Sequence, residues 1–520
     1  MGNQGKVACV LAVCAVVMAI ALASARGAAP AAAPTAVTTT GPVRGLVANR
    51  MREFLGIPYA APPVGKLRWL PTQAHARWTK MLNATSFGSS CPQAAGFFGQ
   101  ESTNQNCLFL NVYAPSASKT TAKLPVMVWI HGGSLISGEG SDYNPVGLVG
   151  KGVVVVTINY RLGLLGFLAH PALSAESKTH DSGDYGLMDQ QFALAWVKHN
   201  IAAFGGNPKS VTIFGESAGG LSVRSQLVSP AAKGLFERAI TESGSYAETV
   251  PTLAQAEAAG QASAAAMGCA SQTAACLRKL PVRTLIANET ALTQLPNISG
   301  VLPAQYNAAF ASGAFNHVPV ISGTNHDEWM LFVELLNTLS NNPVTAANYQ
   351  QQVAATLELP SAADAAPIVA AYPYSAYPTG ENALGAVGTD AIFACNARLD
   401  VRSLSKYTPT YQYEFNDENA PNDFLPAVPY SLGAYHASEI QYLFQRPVSL
   451  LDPDQLQLSA AMQTYWTNFA KTGNPNGTGV PAWPAYSSGS DEAQSLVPPT
   501  PQTESNFAAA HKCAIWTPGS

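Results

Sequence analysis

The stretch Gly215-Glu216-Ser217-Ala218-Gly219 limits the possible fold more than any other part of this chain. Before it runs Val211-Thr212-Ile213-Phe214, short, apolar and β-prone; after it, Gly220 to Leu227 can form a helix. Strand, sharp turn and helix is the setting in which a G-x-S-x-G pattern carries chemistry. The turn is so tight that its flanks must be small, which Gly215 and Gly219 supply. It lifts the hydroxyl of Ser217 above the sheet edge and points the following N–H groups at the same spot. In isolation the pattern is equally an ordinary glycine-rich turn, so the surrounding elements decide.

Those elements read as alternating strand and helix. Leu124 to Ile130 and Val153 to Ile158 are unbroken apolar runs, the pattern of parallel strands buried on both faces. Between Tyr185 and Phe204, the residues Leu194, Val197, Ile201 and Phe204 form one apolar stripe of a helix. Gly205-Gly206-Asn207-Pro208 stops that helix, and the strand before Ser217 follows, completing a βαβ unit. Further strands are expected at Val318 to Ser322 and Thr410 to Phe415, and a helix around Ala460 to Lys471. Residues 41 to about 120 read as an antiparallel edge with loops. The fold class is α/β: one catalytic domain over 41–520, a mostly parallel sheet with helical insertions near 250–310 and 330–400.

The N-terminus reads as a signal peptide over 1–25. Lys6 starts it, Val7 to Leu22 is apolar, and Ala23-Ser24-Ala25 fits a cleavage site. No stop-transfer pattern follows, so no stable membrane anchor is expected, and the mature chain is secreted or periplasmic. An Ala/Pro/Thr-rich stretch over 26–40 reads as a flexible leader. Charged residues make up 12% and net charge is −4, which gives no nucleic-acid surface. Export makes the six cysteines beyond the signal, Cys91, Cys107, Cys269, Cys276, Cys395 and Cys513, candidates for disulfides. Sequence alone does not choose the pairing. No CxxC pair or Cys/His cluster has zinc spacing, so no metal site is expected, and no cofactor.

A serine hydroxyl needs a base within hydrogen-bond reach, and the base needs an acid to hold its tautomer. In a sheet of this kind the order is serine, acid, histidine. Of nine histidines only His436 and His511 lie beyond Ser217, the 318–322 strand and the acidic pair Asp327-Glu328 that follows it. His511 sits beside Cys513 in the tail, where a tethered structural role is expected, so His436 is the candidate base. Asp327 and Glu328 follow the 318–322 strand, where ligands gather; position does not separate them. Asp417 and Glu418 are the second choice. Acyl transfer also needs preorganised N–H donors. His131-Gly132-Gly133-Ser134 follows the 124–130 strand and, with the N–H of Ala218, makes a candidate oxyanion hole.

These residues belong to longer motifs. Phe54-Leu55-Gly56-Ile57-Pro58-Tyr59-Ala60, Cys107-Leu108-Phe109-Leu110-Asn111-Val112, Asn159-Tyr160-Arg161-Leu162-Gly163 and Gly215 to Gly220 occur in order. Together they resemble the type-B carboxylesterases, which include the cholinesterases, within the α/β-hydrolase fold. The resemblance covers almost the whole mature chain. Gly323-Thr324-Asn325-His326-Asp327-Glu328 is similar to the family's G-T-x-x-D-E-G, which implies Glu328 as the acid. Gly433-Ala434-Tyr435-His436-Ala437-Ser438-Glu439 is similar to G-A-x-H-x-x-E, which implies His436 as the base. The resemblance implies Gly133, Ser134 and Ala218 as oxyanion donors. It also implies disulfides Cys91–Cys107, Cys269–Cys276 and Cys395–Cys513, and Glu216, Ser243 and Glu439 as support for the histidine. Ser134, Trp329 and Asn106 depart from the family pattern, the first two where they could narrow a pocket. The implied function is a secreted serine carboxylesterase acting on a small-molecule ester through an acyl-enzyme. The contrasting expectation is a non-catalytic binding or adhesion module on the same fold; such relatives lose a triad member, and here all three positions are filled.

Overall fold

The alternation of apolar strands and helices resolves into one large mixed sheet. The computed structural model describes residues 33–96, 99–289, 295–422, 425–445 and 450–517. The expected signal segment, its cut near Ala25 and the start of the leader lie outside them. The early strands are β1 (Thr35–Val37), β2 (Pro42–Arg44), β3 (Leu46–Ala48), β4 (Met51–Pro58), β5 (Leu82–Asn83) and β6 (Phe109–Pro115). Then come β7 (Leu124–Ile130), β8 (Val154–Ile158), β9 (Gly206–Glu216) and β10 (Arg238–Glu242). The last are β11 (Val320–Asn325), β12 (Thr410–Phe415), β13 (Ala493–Leu496) and β14 (Gln502–Glu504).

Among the described residues the main sheet has 11 strands, in the order β14-β13-β12-β11-β10-β9-β7-β8-β6-β4-β3. Pairing is parallel from β8 across to β13 and antiparallel at both edges. This is the expected α/β-hydrolase architecture, with β3, β4 and β6 forming the antiparallel edge, while β1, β2 and β5 form a separate three-stranded sheet.

Covering both faces explains the unbroken apolar runs. Val126, Val128 and Ile130 of β7 pack into the layer that holds Leu187, Leu194 and Leu221. Met127 and Trp129 pack the other way, against Leu148, Leu458, Met462 and Trp466. One layer is therefore built by helices Tyr185–Asn200 and Ala218–Val228, and the other by helix Pro453–Thr472. The expected helix 185–204 becomes a tighter 3₁₀ turn over Ile201–Phe204, and Gly205 then ends it with a left-handed backbone.

The leader is shorter than expected. Thr35–Val37 already pairs antiparallel with Pro42–Arg44. Thr39 N donates to Asn200 Oδ1 at 2.6 Å, and Thr38 Oγ1 donates to Gly41 O at 2.7 Å. Backbone partners, invisible in an Ala/Pro/Thr composition, fix this stretch. Helices populate both inserted regions, among them Leu253–Ala266, Tyr306–Ser312, Met330–Ser340, Gly380–Gly388 and Cys395–Leu404. The sulfurs are bonded as Cys91–Cys107, Cys269–Cys276 and Cys395–Cys513. No helix among the described residues is long and apolar enough to cross a membrane.

Candidate active site

The sheet order creates the site. From β7 the chain moves to β8 on one side, while β9 lies on the other. The carboxyl ends of β7 and β9 therefore flank a crevice at a topological switch point, where ligands bind in sheets of this type. The loop after β7 is His131-Gly132-Gly133-Ser134, and the turn after β9 holds Ser217.

Close approach demands glycine here. A Cβ on Gly219 would stand 1.9 Å from the carbonyl oxygen of Ile130, and one on Gly132 would stand 3.1 Å from Ser217 Cβ. Ser217 itself adopts φ 57°, ψ −121°, a strained backbone for a side-chain-bearing residue. Helix Ala218–Val228 holds it there. Every residue of that helix is buried, including Arg224, whose guanidinium meets Asp400 at 2.8 Å and Glu248 at 2.9 Å. A buried cation is tolerated because it is paired on both sides.

Ser217, Glu216, His436, Gly132, Gly133 and Ser134 line one cavity of about 90 Å³. This is small against the ~300–1,000 Å³ of most ligand pockets. Larger hollows exist, among them one of about 620 Å³ between 164–169 and helix Leu253–Ala266 with no ionisable side chain in its lining; the small cavity is the one that gathers Ser217, His436 and the glycine loop. Ala218 is the first residue of its helix, where N–H groups lack an intrahelical acceptor. The N–H groups of Gly133, Ser134 and Ala218 donate to no group among the described residues. His131 anchors the loop from behind, stacked on Tyr160 at 4.4 Å. Burial pushes the His131 imidazole down to about 4, so it is neutral.

Glu328 and His436 meet. His436 Nδ1 lies 2.5 Å from Glu328 Oε2. The other oxygen, Oε1, accepts from Thr324 Oγ1 at 2.7 Å and from Asn325 N at 2.8 Å, so the carboxylate is fixed in plane. The choice left open between Asp327 and Glu328 is thus a difference in direction: Asp327 Oδ2 instead accepts from Ala434 N at 3.0 Å. Asp417 accepts from Gln455 Nε2 at 2.9 Å and from the Tyr442 hydroxyl, on a different part of the molecule. His511 is buried between Asp390 and Glu414 and does not line the cavity.

The second imidazole nitrogen, Nε2, faces Glu216 Oε1 at 3.2 Å. Ser217 Oγ forms no hydrogen bond to the described residues. Burial alone would lower the pKa of His436, but the carboxylates of Glu216, Glu328 and Glu439 outweigh it and push it up to about 9. Glu216 and Glu439 are both raised, first by burial and then by the neighbouring carboxylates, against the opposing pull of His436. Glu439 Oε2 accepts from Asn325 Nδ2 at 2.6 Å. Ser243, expected to join them, is buried with φ 50°, yet its hydroxyl has no partner among the described residues; its N–H donates to Gly323 O at 3.0 Å.

Two groups escape sequence reasoning. Glu242, paired in register with Glu216 across β10 and β9, accepts from Trp466 Nε1 at 2.9 Å, and its carbonyl accepts from Ser217 N at 2.9 Å. An acidic residue ending an apolar strand is the only local signal for it. Phe332 and Phe393 each place a ring 5.1 Å from the imidazole of His436. Trp329, a departure noted above, stacks behind Phe332 at 4.6 Å.

An eleven-stranded sheet with such a serine turn at its switch point defines an α/β-hydrolase. The family model described as the carboxylesterase family matches residues 32–516, and the chain belongs to that family. It is 36% identical over 473 residues to the para-nitrobenzyl esterase of Bacillus subtilis (strain 168), covering 86% of this chain and 91% of that protein. It is 36% identical over 466 residues to carboxylesterase 1C of Rattus norvegicus, with 83% of each chain covered. A solved structure of PNB esterase superposes with a TM-score of 0.76 at 33% identity, covering 92% of this chain and 98% of that one. The protein is accordingly a carboxylic ester hydrolase.

Proposed function

We propose that Ser217, His436 and Glu328 act as a nucleophile–base–acid triad that hydrolyses esters through an acyl-enzyme. The observation that carries this reading is the Glu328–His436 contact at 2.5 Å in the cavity that also holds Ser217. In the resting arrangement Nε2 faces Glu216. A turn of the ring, pivoting on its bond to Glu328, brings Nε2 to the neighbouring Ser217 Oγ; catalytic hydrogen bonds are often long until substrate arrives. His436 takes the hydroxyl proton as Oγ attacks the ester carbonyl. Glu328 stabilises the imidazolium, and the N–H groups of Gly133, Ser134 and Ala218 receive the oxyanion. Gly132 contributes space rather than a donor. His436 then protonates the leaving alcohol, and water repeats the cycle on the acyl-enzyme. Glu216 and Glu439 tune the imidazole. We read the chain as exported, in keeping with three disulfides. A fluorophosphonate probe tests the assignment: it should label Ser217 and no other residue, and an active enzyme left unlabelled there would overturn it.

The cavity points to short or flat acyl groups, because Leu331, Phe332 and Leu335 of helix Met330–Ser340 close it. Phe332→Ala should raise kcat/KM for octanoyl relative to acetyl p-nitrophenyl esters by on the order of tenfold, the scale of one or two added methylenes in an apolar pocket. An unchanged chain-length profile would place the acyl group elsewhere.

The raised pKa of His436 also has a kinetic sign. A base must be neutral, so kcat/KM falls as pH drops through its pKa, and this limb should lie above the ordinary imidazole value near 6.5. Glu216→Gln removes a carboxylate 3.2 Å from Nε2 and should move the limb to lower pH. A limb that stays put, read from pH–rate profiles, removes Glu216 from this role.

A further inference from the structure

Away from the cavity, three side chains from distant segments converge under the C-terminal tail. His326 follows β11, Glu414 lies in β12, and His511 sits between the helices Phe507–Ala510 and Cys513–Trp516. Each offers a ligand atom, and these atoms all lie within 4.8 Å of one another. We propose that His326, Glu414 and His511 bind a divalent cation of the zinc class.

Each imidazole is oriented for this. His511 Nδ1 lies 2.6 Å from Asp390 Oδ1, which leaves Nε2 facing Glu414 Oε1 at 2.5 Å. His326 Nδ1 lies 3.1 Å from Asp327 Oδ2, within ion-pair distance though poorly aligned for a hydrogen bond, and we assign Nε2 as its ligating nitrogen. A carboxylate behind each ring is the usual support of a metal-bound histidine. A fourth oxygen is at hand: Glu504 of β14 is hydrogen-bonded to Glu414, and its Oε1 is buried without a partner among the described residues.

The donor set of two imidazoles and one or two carboxylates suits zinc over the oxygen-seeking calcium and magnesium. Tetrahedral coordination at about 2.0–2.1 Å places ligand atoms roughly 3.3 Å apart, so Glu414 and His511 need open only slightly. Cys395 and Cys513, beside the site, are bonded to each other and offer no competing thiolate. A surface hollow of about 550 Å³, lined by His326, Asp327, Asp390 and His511 among others, gives the ion an entry path. No spacing in the sequence discloses the set, because its members stand at positions 326, 414 and 511.

A bound ion would tie the C-terminal tail to the loops of the active site. Asp327 precedes Glu328 and accepts from Ala434 N at 3.0 Å, two residues before His436. The ion's role is positional; it touches no reacting atom.

The test is metal retention by the full mature chain. Protein incubated with zinc chloride and passed into chelator-treated buffer should retain about one zinc per chain by elemental mass spectrometry. His326→Asn, at a half-exposed position, and Glu414→Gln should each cut retention at least tenfold at matched protein concentration. Cobalt-loaded wild-type protein should show the visible absorption of a four-coordinate site, and His326→Asn should lose it. Retention by the wild type below about one tenth of an equivalent overturns the proposal. So does undiminished retention in His326→Asn, which decides alone if Glu414→Gln fails to fold.

Discussion

Ser217→Ala will hydrolyse a short-chain p-nitrophenyl ester with kcat lowered by on the order of 10⁵–10⁶, the loss seen when the nucleophile of a serine hydrolase is removed. The structure makes this a clean experiment. Ser217 Oγ forms no hydrogen bond that alanine would forfeit, and alanine fits the φ 57° turn as well as serine does. The melting temperature should therefore change little while turnover collapses. KM should change far less than kcat, because the hydroxyl is needed for bond formation rather than for holding the ester. Residual activity within tenfold of the parent would mean that the acyl group never passes through Ser217.

Glu328→Gln should lower kcat by on the order of 10³–10⁴, as when the acid of a triad becomes its amide. The reason lies in which oxygen is already committed. Thr324 Oγ1 and Asn325 N both donate to Oε1, so the amide of glutamine must put its carbonyl there and present its NH₂ to His436 Nδ1. That nitrogen must then accept, and the ring proton moves to Nε2, the atom that has to receive the serine proton. The substitution is nearly isosteric, so this tautomer change, and not a packing defect, is what the assay reads. A loss below tenfold, with the fold intact by circular dichroism, would mean that another group orients the imidazole. Glu216 is the first alternative, because it already stands 3.2 Å from Nε2.

Much of the framework is local information. The run Leu124–Ile130 has one available structural meaning, a strand covered on both faces, and it occupies that strand residue for residue. The same holds for Thr410–Phe415. Where strand boundaries shifted, polar or small residues were responsible: β11 continues through Gly323, Thr324 and Asn325 because those residues pair with β12, a contact no apolar pattern announces. Over 35–40 the order of the leader has a related origin, since it comes from Asn200 and from Pro42–Arg44 and not from its own composition.

The chain by itself determined the turn that carries Ser217, the glycines that let the loop after β7 approach it, and the fold class, because each rests on local patterns of neighbouring residues and on steric limits of the backbone. Only the tertiary structure decided how Glu328 meets His436 while Asp327 turns to Ala434 N, that Phe332 and Phe393 wall the imidazole, and that Glu242 lies beside Glu216. Those facts depend on direction and on contacts between segments distant in the chain, 108 residues apart for Glu328 and His436, and a side chain's direction is set by the packing of the whole sheet rather than by its neighbours in the chain.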